Sequence, residues 1–353
     1  MAVDVLVPAP FRGLTGNRAK VTSDGKNVAQ VLGNLERDFP GFGAMMFDER
    51  GQVPPHINVY VNGREISALA GLDTTLKDGD EVTIIPSSAG GSPSADRTLT
   101  PEQRERYSRH LVLPHWGEEG QRKLTEARVL VVGAGGLGSP VLLYLAGAGV
   151  GTLGIVEFDT VEISNLPRQL LHHMHDIGLS KARSAQESVA DNNPDVRVVT
   201  HETRLTSENA LDIIGGYDLV VAAVDNLETR YLVNDACVLL RKPMIEASVL
   251  AYEGQCTVFL PGEGCYRCLY PSPPPPGLMP TPARAGVLSI TPAVMGPIQA
   301  MEAIKLILGI GESLSGRLLL FDALTMEFRQ VRTRRDPNCA VCGDRPTITS
   351  LTD

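Results

Sequence analysis

A glycine-rich turn between an apolar strand and a helix restricts what this chain can fold into more than any other feature. Residues 128–139 read Arg-Val-Leu-Val-Val-Gly-Ala-Gly-Gly-Leu-Gly-Ser, so a β-branched run enters a G-x-G-x-x-G turn. Glycines in such a turn let backbone N–H groups approach a phosphate closely, and the dipole of the following helix favours the anion. The turn therefore predicts an α/β fold with a nucleotide site here, in preference to a glycine turn that only packs tightly.

Short apolar runs alternate with helical patterns after this turn. We predict strands at 127–132, 153–157, 197–201, 218–224 and 244–247. We predict helices at 139–148, 181–190, 207–215, 228–240 and 293–308, with further strands within 318–331. Such alternation predicts a Rossmann-like, mostly parallel sheet covered by helices on both faces, with antiparallel strands near the C-terminus. A proline-rich stretch from 273 to 291 is a long irregular connection.

The first quarter of the chain has a different pattern. Alternating runs at 3–7, 56–61 and 81–85 predict half-buried strands, and 28–39 carries its apolar residues on one helical face. The order strand, strand, helix, strand, strand predicts an α+β domain of the β-grasp (ubiquitin-like) type. We place this domain at 1–91, a small and polar linker at 92–98, and the larger domain at 99–353.

Composition excludes several classes of function. The 353 residues carry a net charge of −9, whereas a nucleic-acid surface needs clustered positive charge. No apolar run is long enough to span a membrane, and the N-terminus lacks the pattern of a secretory signal. We therefore expect a cytoplasmic protein with neither a nucleic-acid nor a membrane partner.

Charged side chains follow the predicted strands at the edge where open α/β sheets bind ligands. Glu157 and Asp159 end the second strand, Arg168 and Lys181 follow within 25 residues of it, and Asp225-Asn226 ends the fourth. One interpretation is a dinucleotide site with Glu157 or Asp159 on the ribose. The other is nucleotidyl transfer, because a carboxylate for Mg²⁺ with Arg and Lys for a polyphosphate suits that chemistry.

Two C-x-x-C pairs predict a zinc site. Cys265 and Cys268 form one pair and Cys339 and Cys342 the other, which gives four thiolates for a closed tetrahedral Zn²⁺ site of structural type. We interpret Cys237 and Cys256 as core residues. We interpret the cluster at 172–175, His-His-Met-His, as surface or helix-end histidines and not as a metal site.

Residues from about Leu99 to Arg345 resemble the MoeB/ThiF family of adenylyltransferases, which activate sulfur-carrier proteins and are related to ubiquitin-activating enzymes. The matching stretches are Tyr107-Ser-Arg109-His-Leu-Val-Leu-Pro, 133–138, 159–169, Gly178-Leu-Ser-Lys181, Asp225-Asn226, Glu253-Gly-Gln255, 299–305 and both cysteine pairs. The resemblance implies ATP-dependent adenylation of a carrier's C-terminal glycine carboxylate. The acyl-adenylate would then become a thiocarboxylate for the biosynthesis of cysteine, a cofactor or a related metabolite.

The same resemblance implies roles for individual residues. Residues that would bind ATP are Gly135, Gly136, Gly138, Asp159 (on the ribose), Ser164, Asn165, Arg168, Lys181, Asp225 and Asn226. Asp225 would hold Mg²⁺, and the residues that would act in catalysis are Arg109, Arg168, Lys181 and Asp225. Arg109 matches an arginine that family members lend to the neighbouring subunit, so a homodimer is implied. Solvated surface charges and helix caps are the alternative for each residue taken singly.

Residues 1–91 resemble ubiquitin-like sulfur carriers of the CysO, MoaD and ThiS type. The match rests on Val59-Tyr-Val-Asn-Gly63, on 76–86, and on a tail that ends in Gly90-Gly91. Gly91 is bonded to Ser92, and only a free carboxylate displaces pyrophosphate, so we expect a separate protease to cleave between them. Two alternatives are that the diglycine is flexible linker and that the enzyme acts on separate carriers.

Some relatives place an acyl-accepting cysteine where Pro282 stands here, and the chain ends soon after Cys342 without a rhodanese domain. We therefore expect an external sulfide or persulfide to attack the adenylate. An activating enzyme for ubiquitin-like protein conjugation and an NAD-binding module are the rival functions.

Overall fold

The computed structural model describes residues 2–351, apart from 9–10, 12–13, 17, 19, 48–50, 55–56, 87–98 and 276–281. The chain separates into two compact units, Met1–Asp96 and Arg97–Asp353, and each has its own apolar core. The tail glycines Gly90 and Gly91 and the predicted linker 92–98 lie outside the described residues.

The N-terminal unit is a five-stranded sheet that packs against one long helix and one short helix. Its elements are β1 (Ala2–Leu6), β2 (Lys20–Asp24), α1 (Val28–Asp38), α2 (Phe42–Met46), β3 (Ile57–Val61), β4 (Arg64–Glu65) and β5 (Glu81–Pro86). The strand order is β2-β1-β5-β3-β4, in which β1 and β5 are parallel and the other neighbours antiparallel. The predicted β-grasp arrangement is confirmed.

Helix α1 forms where the sequence predicted it. The side chain of Asn27 accepts a hydrogen bond from the Gln30 N–H at 3.0 Å, which satisfies one of the free N–H groups at the start of the helix. The buried face consists of Val28, Val31, Leu32 and Leu35, spaced as one stripe of a helix requires.

The C-terminal unit begins with three helices and continues as an alternation of strands and helices. The leading helices are α3 (Pro101–Arg106), α4 (Ser108–Leu111) and α5 (Gly117–Glu126). The alternating section comprises β6 (Arg128–Val132), α6 (Gly138–Ala148), β7 (Thr152–Val156), α7 (Lys181–Asn192), β8 (Arg197–His201), α8 (Ala210–Gly215), β9 (Leu219–Ala222) and α9 (Leu227–Leu239). The remaining elements are β10 (Met244–Leu250), β11 (Glu253–Phe259), α10 (Tyr266–Leu269), α11 (Pro282–Ala285), α12 (Ile290–Leu308), β12 (Arg317–Asp322) and β13 (Glu327–Arg332).

These strands form one mixed sheet of eight, in the order β13-β12-β11-β10-β9-β6-β7-β8. The strands from β10 to β8 run parallel, and β10 to β13 pair antiparallel, as predicted. Alternate residues of β6 enter different cores: Val129 and Val131 join one apolar cluster, while Leu130 and Val132 join another. Both faces of the sheet are therefore buried, which explains the continuous apolar runs of its strands.

The parallel register brings the strand ends that carry the site to one edge. Val132 of β6 pairs with Val156 of β7 on one side and with Ala222 of β9 on the other. The residues that follow these three strands are therefore neighbours in space.

Within the described residues, no helix is long and apolar enough to cross a membrane.

Candidate nucleotide site and cysteine cluster

The glycine turn after β6 is closely packed on the end of β9. Gly133 has φ +96°, and a Cβ there would lie 2.6 Å from the carbonyl oxygen of Ala223. A Cβ on Gly138 would collide with the carbonyl oxygen of Gly133. Only glycine fits either position, because one needs a left-handed backbone and both need space that a side chain would fill.

Among the described residues, the N–H groups of Gly135 and Gly136 donate to no protein acceptor. They lie directly before α6, which begins at Gly138. Free N–H groups before a helix start are the arrangement that binds phosphate. The turn thus has the geometry that the sequence predicted for it.

Glu157 supports this turn from behind. It is buried, and its Oε2 accepts the Ala134 N–H at 3.0 Å. Its Oε1 accepts the N–H groups of Phe158 and Asp159 at 2.8 and 3.0 Å. Both oxygens are engaged with the backbone, so of the two acids considered for the ribose, Asp159 is the exposed and available one.

Asp159 and Lys181 lie together although 22 residues separate them. The Lys181 ammonium is 3.2 Å from Asp159 Oδ2, and the Lys181 N–H donates to the Asp159 carbonyl at 2.9 Å. The Lys181 side chain is 8% exposed and that of Asp159 54%, so the stem of the lysine is buried and its charged end reaches the open edge. Ser180 caps the helix that Lys181 begins.

Ser164, Asn165 and Arg168 lie on and after the short 3-10 helix Ile163–Asn165. Asn165 is buried and accepts the Glu162 N–H at 3.1 Å, while Ser164 is exposed and donates its hydroxyl to Glu162 at 3.2 Å. Arg168 donates to the Ser164 carbonyl at 2.9 Å, and its Cγ lies 3.7 Å from where a Cβ of Gly136 would be. Arg168 is therefore beside the glycine turn.

Gln169 is a neighbour of the turn that the sequence reasoning did not single out. A Cβ on Gly135 would lie 3.6 Å from Gln169 Nε2. Its Oε1 is buried and meets no hydrogen-bond donor in the described part of the chain. A buried acceptor without a donor marks a position where a ligand or water completes the site. Its position next to Arg168 in the sequence could have indicated that Gln169 lies near the turn.

Asp225 and Asn226 follow β9 at the same edge. Asp225 is exposed, whereas Asn226 caps α9 by accepting the Thr229 N–H at 2.9 Å. The side-chain oxygen of Asn226 is thus committed to the helix, and the Asp225 carboxylate is the one that faces solvent. Beneath them the buried Arg230 donates to the Val224 carbonyl at 2.8 Å and lies 3.1 Å from Glu246, a buried pair that the sequence did not indicate.

Arg109 is not brought to this edge within its own chain. Its short helix α4 follows Tyr107, whose hydroxyl accepts from Asn193 at 2.9 Å and packs on Gly149, the residue that ends α6. The glycine turn lies at the other end of that helix, and 11 helical residues span about 16 Å. The segment that carries Arg109 is therefore packed near the end of α6 opposite the glycine turn.

The four cysteines of the two pairs converge as predicted. Cys265 lies 3.5 Å from Cys339 and 4.0 Å from Cys268, and Cys268 lies 3.3 Å from Cys342, measured between sulfur atoms. Zinc–sulfur bonds of about 2.3 Å place tetrahedral ligands about 3.8 Å apart, so the cluster fits such an ion. Burial raises the pKa of the Cys265 thiol to about 12, and the neighbouring Cys268 and Cys339 add to this rise. A bound cation would favour the thiolate form that zinc ligands take.

The cluster is joined to α9 through α10. The N–H of Tyr266 donates to Asn234 at 2.7 Å, and Arg267 donates to both oxygens of Asp235 at 2.8 and 2.7 Å. These contacts connect the cysteine cluster to the helix that begins after Asp225.

Cys237 and Cys256 are core residues, as predicted. They are 2% and 0% exposed, and burial raises the pKa of both thiols. The side chain of Pro282 lies outside the described residues.

The interpretation of the histidine cluster needs one correction. His172 is not at the surface: it is 4% exposed and hydrogen-bonded to Ser184 and to the Ala134 carbonyl. His173 and His175 are exposed and lie near Asp176, whose carboxylate accepts the His173 N–H at 2.7 Å. The local spacing could not reveal that His172 faces the glycine turn, because that contact crosses 38 residues.

Comparison with known proteins gives a family match for each of the two units. The ThiF family model matches residues 107–341, and the ThiS family model matches residues 5–91. The "Sulfur carrier protein adenylyltransferase" of Thermus thermophilus is 54% identical over 260 residues, which cover 72% of this chain and 96% of that protein. "Probable adenylyltransferase/sulfurtransferase MoeZ" of Mycobacterium tuberculosis is 52% identical over 260 residues, 72% of this chain but 65% of that longer protein.

Among solved structures, the fold is similar to that of E. coli MccB. A complex described as MccB with ATP has a TM-score of 0.60 and 23% identity, covering 73% of this chain and 77% of that one. A complex described as MccB with MccA-N7isoASN has a TM-score of 0.61 and 24% identity, covering 74% of this chain and 77% of that one. At these sequence identities, the similarity shows a shared fold and nothing further.

Proposed function

This chain belongs to the ThiF family, and from that membership we propose that it uses ATP to adenylate the C-terminal glycine carboxylate of a ubiquitin-like sulfur carrier. One observation carries the proposal: a chain that matches the carrier family over 5–91 continues into the enzyme family over 107–341. The acyl-adenylate then becomes a thiocarboxylate that delivers sulfur to a biosynthetic reaction.

The nucleotide would lie across the strand edge described above. Its phosphates would bind the N–H groups of Gly135 and Gly136 and the start of α6 at Gly138. Asp159 would bind the ribose. Arg168 lies beside Gly136, and Lys181 lies beside Asp159. In this proposal they neutralise the charge that develops as a carboxylate oxygen bonds to the α-phosphorus and pyrophosphate leaves. The nearby Ser164 and Asn165 shape the loop that carries Arg168.

Asp225 is the residue we assign to Mg²⁺. Its carboxylate is exposed at the end of β9, and carboxylates are the protein ligands that this ion prefers. Bound there, the ion would offset phosphate charge. Asn226 contributes by capping α9, which fixes the backbone that follows Asp225.

We propose that the protein's own N-terminal domain is a substrate once cleaved after Gly91. An amide carbonyl does not displace pyrophosphate, so the bond to Ser92 must first be hydrolysed, by a separate protease. A carrier with a free Gly90-Gly91 end has a tail without side chains, which suits a narrow approach to the α-phosphate. A separate carrier is the other substrate that the same chemistry accepts.

The sulfur donor in this proposal is an external sulfide or persulfide. Pro282 stands where some family members have an acyl-accepting cysteine, and Cys237 and Cys256 are buried in the core with raised thiol pKa values. Sulfide would therefore attack the acyl-adenylate directly and give the thiocarboxylate and AMP. A persulfide would give an acyl disulfide and AMP, and a second thiol would then release the thiocarboxylate by forming a disulfide with the donor.

We assign the cysteine cluster to Zn²⁺ in a structural role, because four protein ligands leave no position for substrate. Reduced thiolates also fit the cytoplasm, the compartment we propose. Arg109 supports a homodimer in this proposal. Within its own chain, its segment lies near the end of α6 opposite the glycine turn, so it would act in the site of a partner subunit.

The test is ATP–pyrophosphate exchange with separately produced carrier 1–91 that ends in a free Gly91 carboxylate. We expect exchange with this carrier and none with the intact chain alone. Replacing Asp225 by Asn should lower the exchange rate at least about tenfold, because a metal carboxylate is lost. Asp212→Asn, an exposed acid on α8, is the matched control.

Exchange by the intact chain would refute the need for cleavage. Failure of the free carrier to support exchange with the wild-type enzyme would refute the proposed substrate.

A further inference from the structure

Ala134, in the middle of the glycine turn, is held on both sides by buried side chains. Its N–H donates to Glu157 Oε2 at 3.0 Å, and its carbonyl oxygen lies 3.0 Å from His172 Nε2. Ala134 is 0%, Glu157 7% and His172 4% exposed. A carbonyl oxygen only accepts, so His172 Nε2 carries a proton and donates it.

The second of these hydrogen bonds has a direct consequence for the next residue. The peptide group between Ala134 and Gly135 is planar and trans, so its C=O and its N–H point in opposite directions. A hydrogen bond that fixes the Ala134 carbonyl therefore also fixes the direction of the Gly135 N–H. That N–H is one of the two that meet no protein acceptor among the described residues.

His172 is itself held in place from the other side of its ring. Its Nδ1 lies 2.7 Å from Ser184 Oγ, which lies 2.8 Å from Asp176 Oδ2, and the single hydroxyl proton of Ser184 serves one of these two neighbours at a time. Asp176 Oδ2 also accepts the His173 N–H at 2.7 Å. Burial opposes ionisation of Asp176, but these hydrogen bonds outweigh it and lower the pKa of its carboxyl. Ser184 lies on α7, the helix that Lys181 begins, so one helix positions both the lysine and the imidazole.

We propose that His172 is a positioning residue for nucleotide binding: it aims the Gly135 N–H at a phosphate by holding the Ala134 carbonyl, with Ser184 and Asp176 orienting its ring. The inference rests on the proposed function for the identity of the nucleotide. It adds a buried imidazole, 38 residues from Ala134 in sequence, to the residues that set ATP affinity.

Two substitutions at His172 separate this role from simple core packing. The amide nitrogen of Gln is three bonds from Cβ, as is Nε2 of His, so H172Q keeps a donor for the Ala134 carbonyl. The amide of Asn is two bonds from Cβ, as is Nδ1, so H172N keeps the contact with Ser184 and loses the one with Ala134. Both variants leave a polar side chain in the same cavity.

The dissociation constant of Mg·ATP is measured by isothermal titration calorimetry on the full chain, with urea unfolding as the stability readout. We expect H172N to weaken ATP binding roughly 3- to 10-fold, the value of one hydrogen bond, and H172Q to restore most of it. Thr257→Val is the matched control: it also removes one buried hydrogen-bonding group, because the Thr257 hydroxyl on β11 donates to the Arg317 carbonyl at 2.9 Å.

The inference is overturned if H172N binds ATP as tightly as the wild type. It is also overturned if H172N and H172Q lose affinity equally and in proportion to their loss of stability. A wild-type chain that binds ATP but adenylates no carrier would refute the proposed activity and leave this inference standing. A wild-type chain that binds no ATP would overturn both.

Discussion

Replacing Arg230 by Met tests the buried charge pair beneath the Asp225 segment. The Arg230 side chain is 9% exposed and that of Glu246 1%, with 3.1 Å between Nε and Oε1. Arg230 also donates to the Val224 carbonyl at 2.8 Å, directly before Asp225. Methionine has a similar length and fills most of the space, so the main loss is the positive charge.

The expected cost follows from the burial of the partner. Without Arg230, the Glu246 carboxylate is buried with no compensating charge. Breaking a buried pair in this way costs about 3–5 kcal/mol of unfolding free energy. We expect a loss of that size for R230M at pH 8, and a smaller loss for the double variant R230M/E246L, which leaves no charge behind.

The cost should depend on pH with a definite sign. Burial already raises the pKa of Glu246 above its ordinary value of 4.5, and Arg230 opposes that rise. Without Arg230 the folded-state pKa rises further, so the folded protein holds a proton that the unfolded chain releases. The wild type shares part of the resulting fall in stability as pH rises, because its own Glu246 pKa is raised. The cost of R230M relative to the wild type should therefore grow by up to about 1.4 kcal/mol per pH unit between the two folded-state pKa values.

The assay is urea unfolding followed by tryptophan emission, excited at 295 nm. Trp116 is the sole tryptophan of the chain and lies in the C-terminal unit, where its Nε1 donates to Gln121 at 3.1 Å. The signal therefore reports the unit that contains Arg230. A loss below about 1 kcal/mol at pH 8, or one that is equal at pH 5.5 and pH 8, would show that Arg230 does not compensate a buried Glu246 charge.

Two further predictions concern the glycine turn and the cysteine cluster. Gly138→Ala should abolish ATP binding in calorimetry, because its Cβ would collide with the Gly133 carbonyl. Gly147→Ala lies on the same helix and should bind ATP normally, because its Cβ would lie 3.8 Å from Asn192 Oδ1. Cys342→Ser should lower the zinc content measured by mass spectrometry from about one ion per chain to near zero. Cys237→Ala, outside the cluster, should keep its zinc, and equal zinc in both variants would contradict the assignment.

The sequence determined the parts of this protein whose causes are local. The strand, glycine turn and helix at 128–148 follow from residues adjacent in the chain, and so do α1 with its Asn27 cap and the spacing within each cysteine pair. The resemblance to the MoeB/ThiF family and to its carriers rests on such stretches and is confirmed by the family matches. Predicted element ends differ by a few residues: α8, for example, begins at Ala210 and not at 207.

The hydrogen-bond or charge partner of each buried polar residue depends on how the helices and strands pack, and the sequence alone did not show it. The sequence did not indicate that Glu246 of β10 and Arg230 of α9 are buried or that they form a pair. Likewise Glu157 turned out to hold the backbone of the glycine turn, while His172 reaches the same turn from 38 residues away. The physical reason is that a hydrophobic pattern fixes the side of an element that is buried, whereas the packing of the elements fixes the partner.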